Sequence, residues 1–134
     1  MSGSETEKNY VLGQAYAVRA YSYFMLAQMF SRTYKGHESE PCVPLYTEPT
    51  DIATEGKGRA TIEEVYQQIT SDLDKAITML GNSGKRKHIS HINEAVASGI
   101  KARVALVMED WQTALDAANA AISKAGVVSA LELR

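Results

Sequence analysis

Cysteine, net charge and long apolar runs are all scarce in this chain of 134 residues. Cys42 is the only cysteine, which excludes an intramolecular disulfide framework and a thiolate metal cluster. The net charge of −2 argues against a nucleic-acid partner, which would require a clustered basic face. Arg19 interrupts the most apolar stretch, so no window of about 18 uncharged apolar residues is left for a transmembrane segment. The first residues also lack the apolar core of a secretory signal.

The stretch from Gly13 to Phe30, GQAYAVRAYSYFMLAQMF, is apolar and aromatic around the lone Arg19. Its aromatic residues recur at intervals of seven, which places them on one face of a helix. We predict a helix over about residues 6–32, with this face buried against a partner helix. The predicted buried stripe comprises Leu12, Tyr16, Ala20, Tyr23, Ala27 and Phe30.

A second helix has the clearest start in the sequence. Thr61-Ile62-Glu63-Glu64 is a capping box, in which the Thr61 hydroxyl and the Glu64 carboxylate satisfy backbone amides at the helix start. Apolar residues then recur at threes and fours. This pattern predicts a helix over residues 62–80, ended by Gly81.

Residues 33–60, between these two helices, lose helical periodicity and contain all three prolines. Loops longer than about 12–15 residues are unusual in compact domains and are often functional, so this long loop is the first candidate for a partner surface. Tyr34 and Tyr46 lie in it. Either could present its ring to a ligand or to another lobe of a larger protein.

The C-terminal part is rich in alanine at helical spacing. Ser90 is the expected N-cap of a third helix over about residues 91–108, and Asp110 that of a fourth over 111–125. Small residues around Trp111 match the spacing of a tetratricopeptide repeat, in which the two helices of a hairpin pack closely.

The four helices predict an all-α fold of two stacked antiparallel hairpins, tetratricopeptide-like, with one long loop. We expect a single helical-repeat domain over residues 1–134. Gly126 is expected to end the fourth helix, before an apolar tail from Val127 to Arg134. The expected inner face of that helix comprises Leu115, Ala118, Ala121 and Ile122.

Arg19 stands alone in its apolar helix, and two interpretations remain open. Its stem can lie along the surface with the guanidinium in water. Alternatively, it forms an ion pair across helices, with Asp72 as the expected partner, and holds the first hairpin in register.

No constellation indicates catalysis or a metal. His88 and His91 form an i,i+3 pair, but with His37 and Cys42 elsewhere no third ligand stands at a recognised interval. The carboxylate pairs of the second helix are explained by capping or lie on its flank, which argues against acid–base chemistry. We therefore expect a protein that is not an enzyme and that requires no cofactor.

Three segments, in order, resemble the SusD/RagB family of outer-membrane nutrient-binding lipoproteins from Bacteroidetes. Residues 13–30 resemble that family's Gly-Glu-Ala-x-Phe-Leu-Arg-Ala-x-x-Tyr-Phe helix. Residues 58–80 are similar to its Arg-x-Thr/Ser-x-x-Glu-Val-Tyr helix. Residues 93–122 resemble its alanine-rich segment ending in Gly-Asp-Trp-x-x-Ala, with Glu109 in place of the glycine.

The resemblance implies a scaffold. Chains of this family are several times longer, and a second lobe, absent from this sequence, follows the helical region and supplies most glycan contacts. The helical repeats brace the protein and contact a TonB-dependent outer-membrane transporter. The implied partners are that transporter and, through the absent lobe, an oligosaccharide. The implied location is the outer membrane, lipid-anchored on the cell surface, although this sequence contains neither signal nor anchor.

A second hypothesis is a free-standing tetratricopeptide-like adaptor that binds a peptide or protein partner in a concave groove. An upstream signal ending in a lipid-modified cysteine would favour the scaffold. A natural stop codon near Arg134 would favour the adaptor.

Overall fold

The computed structural model describes residues 3–125, which form four helices and a small sheet. The helices are α1 (Glu5–Phe30), α2 (Ile62–Gly81), α3 (Glu94–Val107) and α4 (Trp111–Ala125). Two short strands, β1 (Pro41–Pro44) and β2 (Arg59–Thr61), lie between α1 and α2. The mainly helical fold confirms the predicted class. The predicted helix end at Gly126 and the tail beyond it lie outside the described residues.

The first hairpin, α1 with α2, is antiparallel because rising residue numbers on one helix meet falling numbers on the other. Gly13 lies against Leu80, and Phe24 packs edge-on against Tyr66 with ring centroids 6.3 Å apart. A Cβ atom at Gly13 would stand 2.7 Å from the Leu80 Cγ. Glycine at position 13 therefore leaves the space that the Leu80 side chain occupies.

The same arrangement continues into the second hairpin. Lys101 on α3 places its Nζ 2.6 Å from the Asp74 Oδ1 on α2. On the other side of α3, Gly99 lies beside Ala121 of α4. Lys124 extends from α4 to Glu94, with its Nζ 3.1 Å from the Oε1. Each helix therefore packs against the next in chain order.

The core lies chiefly between α1 and α2, and α3 and β1 complete it. The larger buried cluster comprises Ala20, Phe24, Ala27, Cys42, Val43, Ile62, Val65, Tyr66, Ile69, Leu73 and Val104. A smaller cluster comprises Ala17, Ala76, Leu80 and Ala97. Among the described residues, no helix has both the length and the apolar character needed to cross a bilayer.

α1 buries part of the predicted stripe: Ala20 and Ala27 are buried as predicted, whereas both ends of the stripe are exposed. Phe24 is 2% exposed, whereas Phe30 is 59% exposed and Leu12 is 37% exposed. Tyr16 and Tyr23 are half-buried. The prediction was wrong for Leu12 and Phe30, because apolar residues occur around most of α1 and spacing alone does not select its buried face. Contact with α2 decides which side is buried.

α3 begins three residues later than predicted. Its N-cap is Asn93, whose side chain accepts the Val96 N–H at 3.0 Å. Ser90 does not cap the helix, because its hydroxyl bonds the His88 Nδ1 at 2.7 Å. The residues before Asn93 form a turn instead, closed by the bond from the His91 N–H to the His88 carbonyl.

α4 buries small residues and exposes larger ones. Ala114 and Ala117 are buried, whereas Leu115 is 56% and Ile122 48% exposed. The prediction that these two larger side chains face inward was therefore wrong. At Gly99, α3 meets α4 through small residues, since a Cβ atom there would lie 4.0 Å from the Ala121 Cβ.

The predicted long loop contains a two-stranded antiparallel sheet. Pro41 pairs with Thr61 and Pro44 with Arg59, with an irregularity between the two pairs. Cys42 and Val43 of β1 are buried in the core. Strands of three and four residues are too short to give a periodic signal, and β1 begins and ends with proline, so the sequence pattern did not indicate them.

Candidate functional site

Arg19 and Asp72 form the ion pair that was one of the two interpretations of the sequence. The Asp72 side chain is fully buried on α2, and its two oxygens accept hydrogen bonds from Arg19 Nε and Nη2, each at 2.7 Å. Gln68 Nε2 also donates to this carboxylate, at 2.8 Å. The bond to Asp72 raises the pKa of Arg19. Such two-point pairing fixes orientation as well as distance, and it holds α1 against α2.

The same guanidinium also reaches the loop between the helices. Arg19 Nη1 donates to the Thr47 carbonyl at 2.7 Å. The Tyr16 ring lies 5.4 Å from the guanidinium carbon of Arg19 and equally far from the Nζ of Lys75, within the range of cation–π attraction. The Arg19 side chain therefore links α1, α2 and the loop between them.

Tyr23 and Tyr46 fix the start of the segment that connects β1 to β2. The Tyr46 N–H donates to the Tyr23 Oη at 2.6 Å, and the Tyr23 hydroxyl donates to the Tyr46 carbonyl at 3.1 Å. The Tyr46 Oη accepts the Lys57 N–H at 3.0 Å. Lys57 Nζ lies 5.5 Å from the centre of the Tyr46 ring. The half-buried ring of Tyr46 is therefore held in place from both ends of the loop.

Arg59 closes the base of the loop by donating to three carbonyls. Its Nε bonds the Cys42 carbonyl, and its Nη2 bonds those of Pro41 at 2.9 Å and Phe30 at 3.1 Å. Phe30 ends α1, and its carbonyl has no partner within the helix, so Arg59 satisfies a helix end. Sequence patterns did not indicate this role of Arg59. The only sequence signal for it is that Arg59 is the arginine of the family-like Arg-x-Thr pattern.

A groove of about 630 Å³ lies between α1 and β1. Its lining comprises Arg19, Ser22, Tyr23, Leu26, Phe30, Cys42, Val43, Pro44, Tyr46 and Arg59. Both arginines are already bonded to protein groups, and no carboxylate lines the cavity. The groove therefore suits an apolar or ring-shaped surface better than an ionic ligand, and it holds no acid–base pair.

Tyr34 is directed into the protein. Its ring packs against that of Tyr66, with centroids 5.1 Å apart, and it is half-buried. Burial raises the pKa of Tyr34, and it raises the pKa of Tyr66 to about 12. Of the two predicted ring candidates, only Tyr46 borders the groove.

Thr61 and Glu64 form a capping box at the start of α2. The Glu64 N–H donates to the Thr61 Oγ1 at 3.1 Å, and the Thr61 N–H donates to the Glu64 Oε2 at 2.8 Å. Because Thr61 is also the last residue of β2, the box joins the sheet to the helix.

The turn between α3 and α4 uses Asp110 as a cap. Its Oδ1 accepts the Thr113 N–H at 3.1 Å, and hydrogen bonds from Thr113 lower the pKa of Asp110. Glu109 has a φ of 59°, which explains why the family pattern places glycine there. Trp111 is 64% exposed and does not fill the interface between the two helices.

The histidines do not gather into a metal site. His91 bonds the Tyr10 hydroxyl through its Nδ1, and His88 bonds Ser90. Cys42 is buried, with its Sγ 3.5 Å from the Ser31 Oγ. Over residues 3–125, no three histidine, cysteine or carboxylate side chains are grouped to hold a metal ion.

A second, more polar groove of about 490 Å³ lies among α2, α3 and α4. Its lining comprises Asp74, Ile77, Thr78, Ser98, Lys101, Thr113, Asp116, Ala117 and Ala120. Both grooves are open to solvent, and this second groove carries charged side chains of both signs.

Over residues 3–125, the fold is two stacked antiparallel helical hairpins with a small two-stranded sheet. The chain belongs to the SusD-like family. That family, described as starch-binding and associating with the outer membrane, matches residues 1–106. A comparison with curated proteins gives no match.

Solved structures of SusD-like proteins share this fold. A SusD-like carbohydrate binding protein from Bacteroides vulgatus is 31% identical, with a TM-score of 0.84 over 92% of this chain and 26% of its own. A SusD superfamily protein from Bacteroides thetaiotaomicron is 30% identical, with a TM-score of 0.78 over 91% of this chain and 26% of its own. This chain therefore spans about a quarter of the length of these relatives.

Proposed function

We propose that this chain is the scaffold region of a SusD-like glycan-binding lipoprotein of the outer membrane, and that it is not an enzyme. The observation that carries the proposal is the match of 92% of this chain to about a quarter of a carbohydrate binding protein, at a TM-score of 0.84. A compact helical region within a longer binding protein can serve as the structural support on which the remaining part of that protein packs.

The proposed mechanism is stable docking. The two hairpins hold a sugar-binding lobe against a TonB-dependent transporter, so that captured oligosaccharide passes inward. Contacts that lock the first hairpin support this role, because Asp72, Arg19 and Arg59 are all used to join structural elements. A lipid anchor outside this sequence would keep the protein on the cell surface.

Tyr46 is the residue through which this region can touch a sugar. Its ring borders the groove and is held by Tyr23 and Lys57, so little side-chain entropy remains to be lost on binding. Tyr34 does not share this property, because it packs on Tyr66. We propose that Tyr46 contributes an edge of a glycan site whose main part lies in the second lobe.

Isothermal titration tests the proposal. The joined protein, in which this chain replaces the matching quarter of the Bacteroides vulgatus relative, is titrated with maltoheptaose and a panel of other oligosaccharides. We expect the joined protein to bind a member of the panel and this chain alone to give no heat. Equal binding by this chain alone would contradict the scaffold role.

Co-purification tests the partner. We expect the joined protein, and not the relative stripped of this region, to retain the TonB-dependent transporter of the same organism. Retention of the transporter without the helical region would contradict the docking role while leaving sugar binding untouched.

The adaptor remains the second candidate, and the polar groove among α2, α3 and α4 favours it. Asp74, Lys101 and Asp116 give this groove charges of both signs, which suits a charged peptide. Fluorescence polarisation of a peptide library against this chain alone tests it. Saturable binding that Asp116→Ala weakens, with the fold intact, would favour the adaptor over the scaffold.

A further inference from the structure

α1 is apolar on the side that faces away from α2. Val11, Val18, Met25 and Met29 are 53%, 54%, 37% and 70% exposed. Their spacing of seven, seven and four residues places them along one line of the helix. We call this line, with its neighbours Leu26 and Phe30, the outward face; the two neighbours are 38% and 59% exposed.

The outward face adds to a helix that already buries its opposite side. Ala17, Ala20, Phe24 and Ala27 are buried against α2 and the rest of the core. A helix that is apolar on all sides is normally buried on all sides. In contrast, α2 leaves none of its large apolar side chains exposed.

The outward face carries no free charge. From Asn9 to Phe30, Arg19 is the one charged residue, and its guanidinium is bonded to Asp72 and Thr47. An interface with lipid headgroups or with a transiently bound soluble partner would be expected to have charged residues at its rim. A continuous apolar ridge is typical of a permanent interface.

The outward face also continues into a cavity. Leu26 and Phe30 belong both to it and to the groove of about 630 Å³ beside β1. The partner therefore has to supply a ridge that enters the groove as well as a surface that covers the helix. The solved relatives have about three quarters of their chain outside this region, because this chain covers only 26% of their length.

We infer that the outward face of α1 and the adjoining groove are an interface between lobes, covered by the part of the SusD-like chain that lies beyond this region. The inference rests on the proposed scaffold role, because it requires that second lobe. It leaves the side of the protein formed by α3 and α4 as the one available to the transporter.

Cysteine labelling tests this directly. Val18→Cys and Met29→Cys place a thiol on the outward face, and Ser71→Cys, on the exposed polar side of α2, is the matched control. Native Cys42 is 1% exposed and serves as a slow internal reference. Each variant is made in the 134-residue chain and in the joined protein, and site-specific maleimide labelling is followed by mass spectrometry.

In the 134-residue chain, we expect the three introduced thiols to react within about threefold of one another. In the joined protein, positions 18 and 29 should slow by about a hundredfold, and position 71 should not change. Equal rates at all three positions in the joined protein would overturn the inference. If the joined protein fails to fold, the same three aligned positions in the full Bacteroides vulgatus relative provide the measurement, and the same outcomes apply.

Other occupants give different results. If protection of the thiols at positions 18 and 29 in the 134-residue chain rises with its concentration, a second copy of the chain covers the outward face instead of the second lobe. Protection of the joined protein only after the transporter is added would assign the face to the transporter. Both results would overturn the inference. Lost co-purification of the transporter with the thiols still protected would contradict the proposed docking role and leave this interface standing.

Discussion

α1 and α2 pack against each other along their length, but they meet water differently. The exposed side of α2 is polar, with residues such as Gln67, Ser71 and Lys75. The exposed side of α1 carries large apolar side chains, among them Val18, Met25 and Met29. In this chain, α2 therefore presents a polar surface to water, whereas α1 presents a largely apolar one.

This contrast also separates what each helix contributes. α2 supplies Asp72, the buried acceptor on which the first hairpin is aligned. α1 supplies the donor Arg19 on one side and the uncovered outward face on another. Four predictions follow from the contrast, in order of decreasing effect, and each pairs a substitution with its matched counterpart.

Truncation of the two phenylalanines of α1 should change the free energy of unfolding by very different amounts. Phe24→Ala removes a ring packed against Tyr66 and should lower the free energy of unfolding by about 3–5 kcal/mol. Phe30→Ala removes a ring that is 59% exposed in this chain and should change it by less than about 0.5 kcal/mol. Urea unfolding followed by circular dichroism measures both. Comparable losses would mean that the two faces of α1 are not distinct.

Two aspartates on α2 should differ almost as much. Asp72→Ala leaves Arg19 and Gln68 without their acceptor and should cost about 3 kcal/mol, near the lower end for a broken buried pair because Arg19 is partly exposed. The control Asp74→Ala breaks an exposed pair with Lys101 and should cost less than about 1 kcal/mol. Thermal unfolding compares the variants. A stable Asp72→Ala protein would show that the pair does not hold the hairpin.

The helical glycines of α1 and α3 should respond with opposite signs. Gly13→Ala directs a methyl group at Leu80 and should destabilise the chain by about 1–2 kcal/mol. Gly99→Ala places its methyl group 4.0 Å from the Ala121 Cβ, an ordinary contact, and should stabilise it by about 0.5–1 kcal/mol through helix propensity. Urea midpoints give both values. A stabilising Gly13→Ala would show that α1 and α2 do not touch there.

The capping boxes that begin α1 and α2 provide the smallest effect. Thr61→Ala should cost about 1 kcal/mol, because its box also connects β2 to α2. Ser4→Ala should cost less than half of that, because the exposed first turn of α1 can fray without disturbing the buried Tyr10. Urea denaturation of the two variants gives both losses in unfolding free energy. Equal losses would contradict a role for the sheet at Thr61.

Much of the fold could be predicted from local signals. The box at Thr61 fixes the start of α2 to the residue, because side-chain capping depends on only four neighbouring positions. The ion pair of Arg19 with Asp72 was one of two interpretations, because a lone charge in an apolar helix can pair across helices or extend into water. The helical class and the four helices follow from periodicity in the same way.

The remaining features depend on contacts that local patterns do not contain. The buried face of α1 could not be chosen because its periodicity is lost in uniformly apolar composition, and Phe30 was placed inside for that reason. Leu115 was placed inside because hydrophobicity was counted without the width of the interface at Gly99. The groove beside β1 and the role of Arg59 require the strand pairing, which spans residues 41–61.

The hydrogen bonds of the segment from Glu48 to Gly56 all lie within the segment itself. Lys57 and Tyr46 are bonded directly to each other, so the two ends of the segment meet, and inside it Asp51 bonds only to its neighbours Ala53 and Thr54. Closing a longer loop between fixed ends adds little entropic cost. Insertions and substitutions at this rim should therefore leave the helices unperturbed, and recognition can diverge there without a new fold having to evolve.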